Sequence, residues 1–306
     1  MKLEITLMKP RHILSILAVS LYSFFSVSCR ANNTADTAVN ADSIVFCTAQ
    51  WEVDDHPGFT IKRLAISDKS LFESNQYITM IVIPPDSKRR LAFTVAKDTL
   101  LTTSELAQRT DALAAVNGSF FDMKYFNPVC YLRIDGVELG ENTPGKDDTI
   151  NRKYYQYASI KLRNGKPRLF IPDSNRLAEH QRPDSNIMTA GPMLLWKGKR
   201  VPQRDDRTFV TCRHNRTALG ITQDGTVILL TADGRFKNVA EGFTLTELES
   251  VMKWLGCENA INLDGGGSTT MFVRGRPNGG LLTHPSDNNK FDFQGERPVS
   301  NAILVL

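Results

Sequence analysis

The chain has 306 residues, of which 41% are hydrophobic and 23% charged, and a formal net charge of +4. That composition provides for one large core or two small ones and excludes a disordered chain. The near-balance of charge excludes the basic footprint of a nucleic-acid-binding protein, and no nucleic acid is expected as a partner.

Lys9 and Arg11 precede an apolar run from Ile13 to Val27. The run is too short, and too closely followed by polar residues, for a spanning helix, so residues 1–28 read as a secretory leader. The leader ends in "SVSC", and small residues immediately before Cys29 resemble the lipobox of bacterial lipoproteins. That resemblance implies a lipidated Cys29 and a cell-envelope protein held to the membrane through its N-terminal lipid only. Residues 29–43 are too poor in large apolar side chains to pack and read as a tether, which leaves a domain over 44–306. Four cysteines remain, Cys47, Cys130, Cys212 and Cys257, none spaced as a metal knuckle or redox pair. Disulfides in any of three connectivities, or free buried thiols, are both open.

Along the domain, "TTSELAQRTDAL" sets Thr102 and Glu105 at capping-box spacing and predicts a helix, followed by the short strand "LAAVN" ending at Asn117. Five segments repeat an apolar strand, an X-Gly turn and another strand: "LRIDGVEL", "IKLRNGKPRLF", "LLWKGKRV", "LGITQDGTVILL" and "MFVRGRP". Such turns tolerate positive φ and predict hairpins. Pro172 to Asn186 reads as a surface excursion. "TLTELESVMKWLG" places Thr244 and Glu247 in a second capping box, with an apolar stripe and Gly256 as the stop, and leads into the strand "AINLD". No tandem repeat or linker divides the domain. The expected class is α+β: a twisted, largely antiparallel or mixed β-sheet with a few packed helices and a site on loops at strand ends.

The most informative stretch is "AINLDGGGSTTMFV". Gly265, Gly266 and Gly267 exceed what a two-residue hairpin needs, so their N–H groups are expected to approach an anion or a sugar hydroxyl. Asp264 stands before them, Ser268 and Thr269 after them. A Walker loop is excluded because the required Lys is missing. "AAVNGSFFD" offers Asn117, Gly118 and the carboxylate Asp122 behind two phenylalanines, and "HNRTALG" offers the Arg216 guanidinium, a fork suited to phosphate.

Seven segments, "NGSFFD", "RTALG", "TADGR", "GFTLTELE", "AINLDGGGSTTMFV", "HPSD" and "RPVSNAILVL", lie in the order seen in the phosphodiester glycosidase family. The resemblance covers residues 113–306 and leaves 44–112 uncovered. It implies hydrolysis of a sugar-1-phosphodiester such as an N-acetylglucosamine-1-phosphodiester, releasing sugar and phosphomonoester; no cofactor is expected and no metal-ligand spacing is evident, although Asp122, Asp287 and Asn301 could assemble a metal site in three dimensions. Asp264 is then the first choice for the carboxylate at the anomeric carbon, with Asp122, Asp233 and Glu247 as candidates for a second. Asn117, Gly118, Arg216, Asn262, Gly265, Gly266, Gly267, Ser268, Thr269 and Asp287 are expected to bind the glycosyl-phosphodiester or phosphoglycan substrate. Glu247 also has a capping role that competes with chemistry. The family usually shows Asn-Gly-Gly-Phe-Phe, and Ser119 stands at the second glycine here. The alternative reading is a non-catalytic envelope lipoprotein that binds glycan or phosphoglycan through the same residues.

Overall fold

A computed structural model describes residues 40–143, 153–172, 178–181, 185–203 and 208–306. The leader, Cys29, most of the tether and much of the expected excursion at 172–186 lie outside the described residues. In chain order the elements are α1 (Ala41–Thr48), β1 (Glu52–His56), β2 (Phe59–Leu71), β3 (Ser74–Ile83), β4 (Leu91–Val95), α2 (Thr103–Arg109), β5 (Ala114–Asn117), β6 (Leu132–Ile134), β7 (Val137–Gly140), β8 (Ala158–Arg163), β9 (Lys166–Phe170), β10 (Asn186–Ala190), β11 (Met193–Trp196), β12 (Lys199–Arg200), α3 (Thr208–Thr211), β13 (Arg216–Thr222), β14 (Val227–Ala232), α4 (Leu245–Trp254), β15 (Cys257–Asn262), β16 (Met271–Val273) and β17 (Asn301–Val305).

The strands form three sheets, ordered β1-β2-β3-β14-β13-β15-β11-β12, β7-β6-β10-β8-β9 and β16-β5-β17-β4. Every ladder between named strands is antiparallel, so the α+β class with a few helices is observed. One core joins all three sheets: Ile81, Leu219, Leu229 and Ile261 of the first meet Ile160 and Met188 of the second and Val116 and Ile303 of the third. The central strands of the first sheet are buried on both faces. Leu219 and Leu229 point to that shared core, whereas Ala218, Ile228 and Leu230 point the other way, onto Leu248, Val251 and Met252 of α4 and Phe46 of α1. Both faces of β13 and β14 therefore read apolar, without the alternation of a half-solvated strand. Each fully buried side chain of the α4 stripe contributes about 1.5–3 kcal/mol.

Local signals built what they predicted. Thr102 with Glu105, and Thr244 with Glu247, form complete capping boxes on α2 and α4. Asp135-Gly136, Asn164-Gly165 and Lys197-Gly198 each hold two successive residues at positive φ in two-residue hairpins. The β13–β14 connection is longer, with only Gly225 at positive φ, and "MFVRGRP" is a turn after β16 rather than a hairpin. One expectation changes. Helix α1 starts at Ala41, capped by the Asn40 side chain, inside the expected tether. Residues 44–112, outside the family resemblance, are integral: β2 and β3 extend the first sheet beside β14, and β4 pairs with β17. Cys130, Cys212 and Cys257 are free thiols, which removes all three connectivities of the four domain cysteines.

Candidate active site

The start of β13, the ends of β14, β15 and β5, and the start of β17 converge at one end of the structure. Past β15 the chain is held from both sides: Leu263 N–H donates to Thr217 O at 2.8 Å and Asp264 N–H to Gly118 O at 3.1 Å. Asp264 is thereby fixed between the first and third sheets. The Asn117 side chain locks the junction, accepting from Thr217 Oγ1 at 2.7 Å and Thr270 N–H at 3.2 Å while its amide donates to Asp264 O at 2.7 Å. Asn117 is fully buried, so it supports the site rather than touching substrate, contrary to expectation. Gly118 is likewise structural, because a Cβ there would lie 2.1 Å from Asn301 Oδ1. The Asn262 amide nitrogen donates to the main-chain carbonyls of Gly191 and Leu263. Thr269 is buried and receives the Thr217 hydroxyl at 3.3 Å.

Two of the three glycines have their N–H groups taken by the protein, which differs from the role expected of them. Gly265 N–H already donates to Asp264 Oδ1 at 2.9 Å and Gly266 N–H to Asn215 O at 2.9 Å, so neither is open to cradle an anion. What requires bare backbone is the approach of protein. A Cβ at Gly265 would lie 2.7 Å from Asn215 O, at Gly266 2.6 Å from Arg235 Nη2, and at Gly267 2.0 Å from Asp287 Oδ1 and 2.4 Å from Arg297 Cζ. Gly266 also sits at φ +61°, where a side chain would be strained. Two guanidinium groups thus press on the loop that carries Asp264. Arg297 is held by a bidentate pair with Asp287, both contacts at 2.7 Å, so Asp287 orients an arginine. Arg235 is exposed and forms no ion pair among the described residues.

Asp264 keeps an edge open to solvent but is crowded by protein, and burial pushes its carboxyl up to about 6. The buried Ser268 hydroxyl, the Gly265 N–H, Arg297 and Arg235 pull the other way. A carboxyl so balanced exchanges protons near neutral pH, as acid–base and nucleophilic groups do. Beside it stands an aromatic wall in which Phe120 and Tyr155 lie 4.6 Å apart, both part-exposed. Burial pushes the Tyr155 phenol up to about 12, with the Cys130 thiol and the Asp264 charge contributing. Ser119 is buried, its N–H donating to Asn301 Oδ1 at 2.7 Å, so the departure from the family pattern is accommodated inside the protein.

A second constellation emerges from two segments that the sequence separates by 51 positions. Asp233, immediately after β14 and 1% exposed, accepts from His284 Nδ1 at 2.7 Å and from His284 N–H at 3.0 Å. Burial raises its carboxyl and His284 opposes that rise. The imidazole stacks on Phe291 at 3.7 Å and packs against Phe293 and Tyr77. In the neutral tautomer whose Nδ1 donates to Asp233, Nε2 is an acceptor. His284, Arg235 and Arg297 all lay in recognised segments, "HPSD", "TADGR" and "RPVSNAILVL", but nothing in their spacing showed His284 reaching Asp233 or the two arginines reaching the glycine loop. Tyr77 and Phe293 also line a cavity of about 190 Å³ that includes Arg63 and Arg276.

Three expected residues do other work. The Arg216 fork is filled by the main-chain carbonyls of Phe243 at 2.8 Å, Phe209 at 2.8 Å and Cys212 at 3.1 Å. It shares a face of β13 with Ala218, the face that α4 covers, and burial pushes it down to about 10. Glu247 caps Thr244 N–H at 2.8 Å and pairs with Arg213 at 2.6 Å. Asp122 closes a turn by accepting the N–H groups of Lys124 and Tyr125, which hold its exposed carboxyl below the usual range.

An antiparallel three-sheet scaffold that carries, on strand-end loops, a near-neutral carboxyl pressed by two guanidiniums and an imidazole held by Asp233 defines an α+β protein with a candidate site at those strand ends. Residues 110–306 match the family described as phosphodiester glycosidase, and the chain belongs to it. Over 98 residues, 32% of this chain and 18% of the relative, it is 40% identical to the mouse N-acetylglucosamine-1-phosphodiester alpha-N-acetylglucosaminidase. It is 41% identical over 92 residues, 30% of this chain and 14% of the relative, to a prophage-derived uncharacterized protein of Bacillus subtilis. The matched region is therefore under a fifth of the length of these curated relatives. In fold, the chain resembles the zebrafish N-acetylglucosamine-1-phosphodiester alpha-N-acetylglucosaminidase catalytic domain, with a TM-score of 0.61, 22% identity, and coverage of 86% of this chain and 90% of that one. A hypothetical protein from Synechocystis is similar at a TM-score of 0.59 and 17% identity, over 84% of this chain and 63% of that one.

Proposed function

We propose that the protein hydrolyses a sugar-1-phosphodiester of the N-acetylglucosamine-1-phosphodiester kind, cutting the C1–O bond. The observation that carries this reading is Asp264: a carboxyl held near 6 on a loop pressed by two guanidiniums. Arg235 takes the phosphodiester anion, and the Phe120–Tyr155 wall takes the apolar face of the sugar ring. Asp264 in its ionised form stabilises the positive charge that develops at C1. His284 Nε2, with Asp233 holding the tautomer, accepts a proton from the attacking water. As the water oxygen bonds C1, the C1–O bond breaks and its electron pair leaves with the phosphate. A phosphomonoester, whose second pKa is about 6, departs without strong acid assistance. The proposed setting is the bacterial cell envelope, with Cys29 as the lipid anchor; it is supported by the "SVSC" segment.

The test is incubation with an α-GlcNAc-1-phosphodiester in ¹⁸O-water. Label in the released sugar, and no release by Asp264→Asn, is the expected result. Label in the phosphate would show P–O cleavage and sink the glycosidase reading. Absence of release with retained sugar-phosphate binding would favour a binding protein.

A further inference from the structure

The end of β13 opposite the candidate active site carries features that hydrolysis at Asp264 does not use. β13 runs from Arg216 to Thr222, which places its two ends about 20 Å apart. At the far end a cleft of about 570 Å³ opens between β9, the Trp196-Lys197 turn and the β13–β14 connection. Its volume lies within the range of sites that hold organic ligands.

The β8–β9 hairpin beside the cleft is charged in an unusual way. Lys161 stands directly opposite Arg168, and Arg163 directly opposite Lys166, so four cations share one face of two adjacent strands. None of the four forms an ion pair among the described residues. Like charges directly opposite destabilise a ladder, and an anion laid across them relieves the repulsion. Lysines on an edge strand also guard against unwanted pairing, and the binding experiment below separates that role from ligand binding. Arg168 lines the cleft together with Lys166, whose Nζ donates to Ser87 O at 3.0 Å, and the part-exposed Trp196 indole forms a wall with Lys197 Nζ 5.8 Å from its ring centroid. Asp224 and Glu258 are also among the lining residues. An aromatic face suits the apolar side of a pyranose, carboxylates accept sugar hydroxyls, and the cations suit phosphates.

We infer that this cleft is a second glycan site, which binds a distal stretch of a phosphate-bearing sugar polymer while another unit of the same chain occupies the Asp264 loop. The inference rests on the proposed function for the identity of the polymer, and it makes the substrate class polymeric rather than a small diester.

The experiment compares a linear polymer of N-acetylglucosamine 1-phosphate units with methyl α-GlcNAc-1-phosphodiester. Binding of the polymer is measured by calorimetry on full-length Asp264→Asn, and turnover of both compounds on the otherwise unchanged protein. Trp196→Ala, and separately Lys166→Glu with Arg168→Glu, should each weaken polymer binding by about tenfold or more and lower polymer turnover. Hydrolysis of the methyl diester should be unchanged, which also shows that the variants fold. Polymer binding unaffected by either change would overturn the proposal and leave the cations as edge protection. Loss from the charge reversal alone, matched by equal loss of heparin binding, would overturn it in favour of unspecific attraction. If the methyl diester is not hydrolysed by wild type while polymer binding still depends on Trp196 and Arg168, the glycosidase reading fails and the cleft assignment stands.

Discussion

The amide of Asn117 donates to the main-chain carbonyl of Asp264 at 2.7 Å, joining residues 147 positions apart. The same side chain accepts from Thr217 and Thr270, so one buried Asn ties two sheets to the loop that carries the acid. Asn117→Ala should leave those donors and that acceptor unpaired and destabilise the protein by about 1–3 kcal/mol or more. Urea unfolding measures the loss. Turnover should fall with little change in KM, since the residue positions Asp264 without touching substrate.

Asp264 links activity to stability through pH. Its folded carboxyl is raised from 3.8 to about 6, so the protonated form is favoured by folding. The stability it contributes is full below pH ~4 and is lost as pH rises through about 6. Asp264→Asn should therefore be inactive yet melt higher than wild type at pH 8, with the difference closing near pH 4. In wild type, kcat/KM should climb through pH ~6 as the carboxylate forms. An activity profile flat from pH 5 to 7 would remove Asp264 from the ionising step.

Asp233 and His284 should behave as a unit. Asp233→Asn replaces an acceptor by an amide that can also donate to Nδ1, so the imidazole tautomer is no longer fixed, and His284→Gln removes the proposed base. Each should cost about 10²–10⁴ in kcat, and the double variant little more than the worse single one. Additive losses would show that the two residues act separately.

Two arginines separate binding from architecture. Arg235→Ala should raise KM for the diester while leaving the melting temperature close to wild type, because its side chain is exposed and unpaired among the described residues. Arg216→Ala should do the reverse. It leaves three main-chain carbonyls without donors in a buried setting, so stability should drop by about 3 kcal/mol or more. Thermal melts beside KM values decide the assignment.

Local chemistry was legible in the sequence because its partners lie within a few residues. A Thr three positions before a Glu caps its own helix, and Asn-Gly turns its own hairpin, whatever the rest of the chain does. The triple glycine likewise marked the loop after β15 as special, and Asp264 as its acid. Only the tertiary structure decided what the glycines accommodate, because Arg235 and Arg297 reach them from segments that spacing cannot join. It also decided which arginine is available. One step along a strand reverses the face, and Arg216 falls on the side that α4 covers, with its donors taken by carbonyls. The pairing of Asp233 with His284, and the place of β1 to β4 in the sheets, arise in the same way. They are contacts between distant stretches, set by strand register and by core packing rather than by any local pattern.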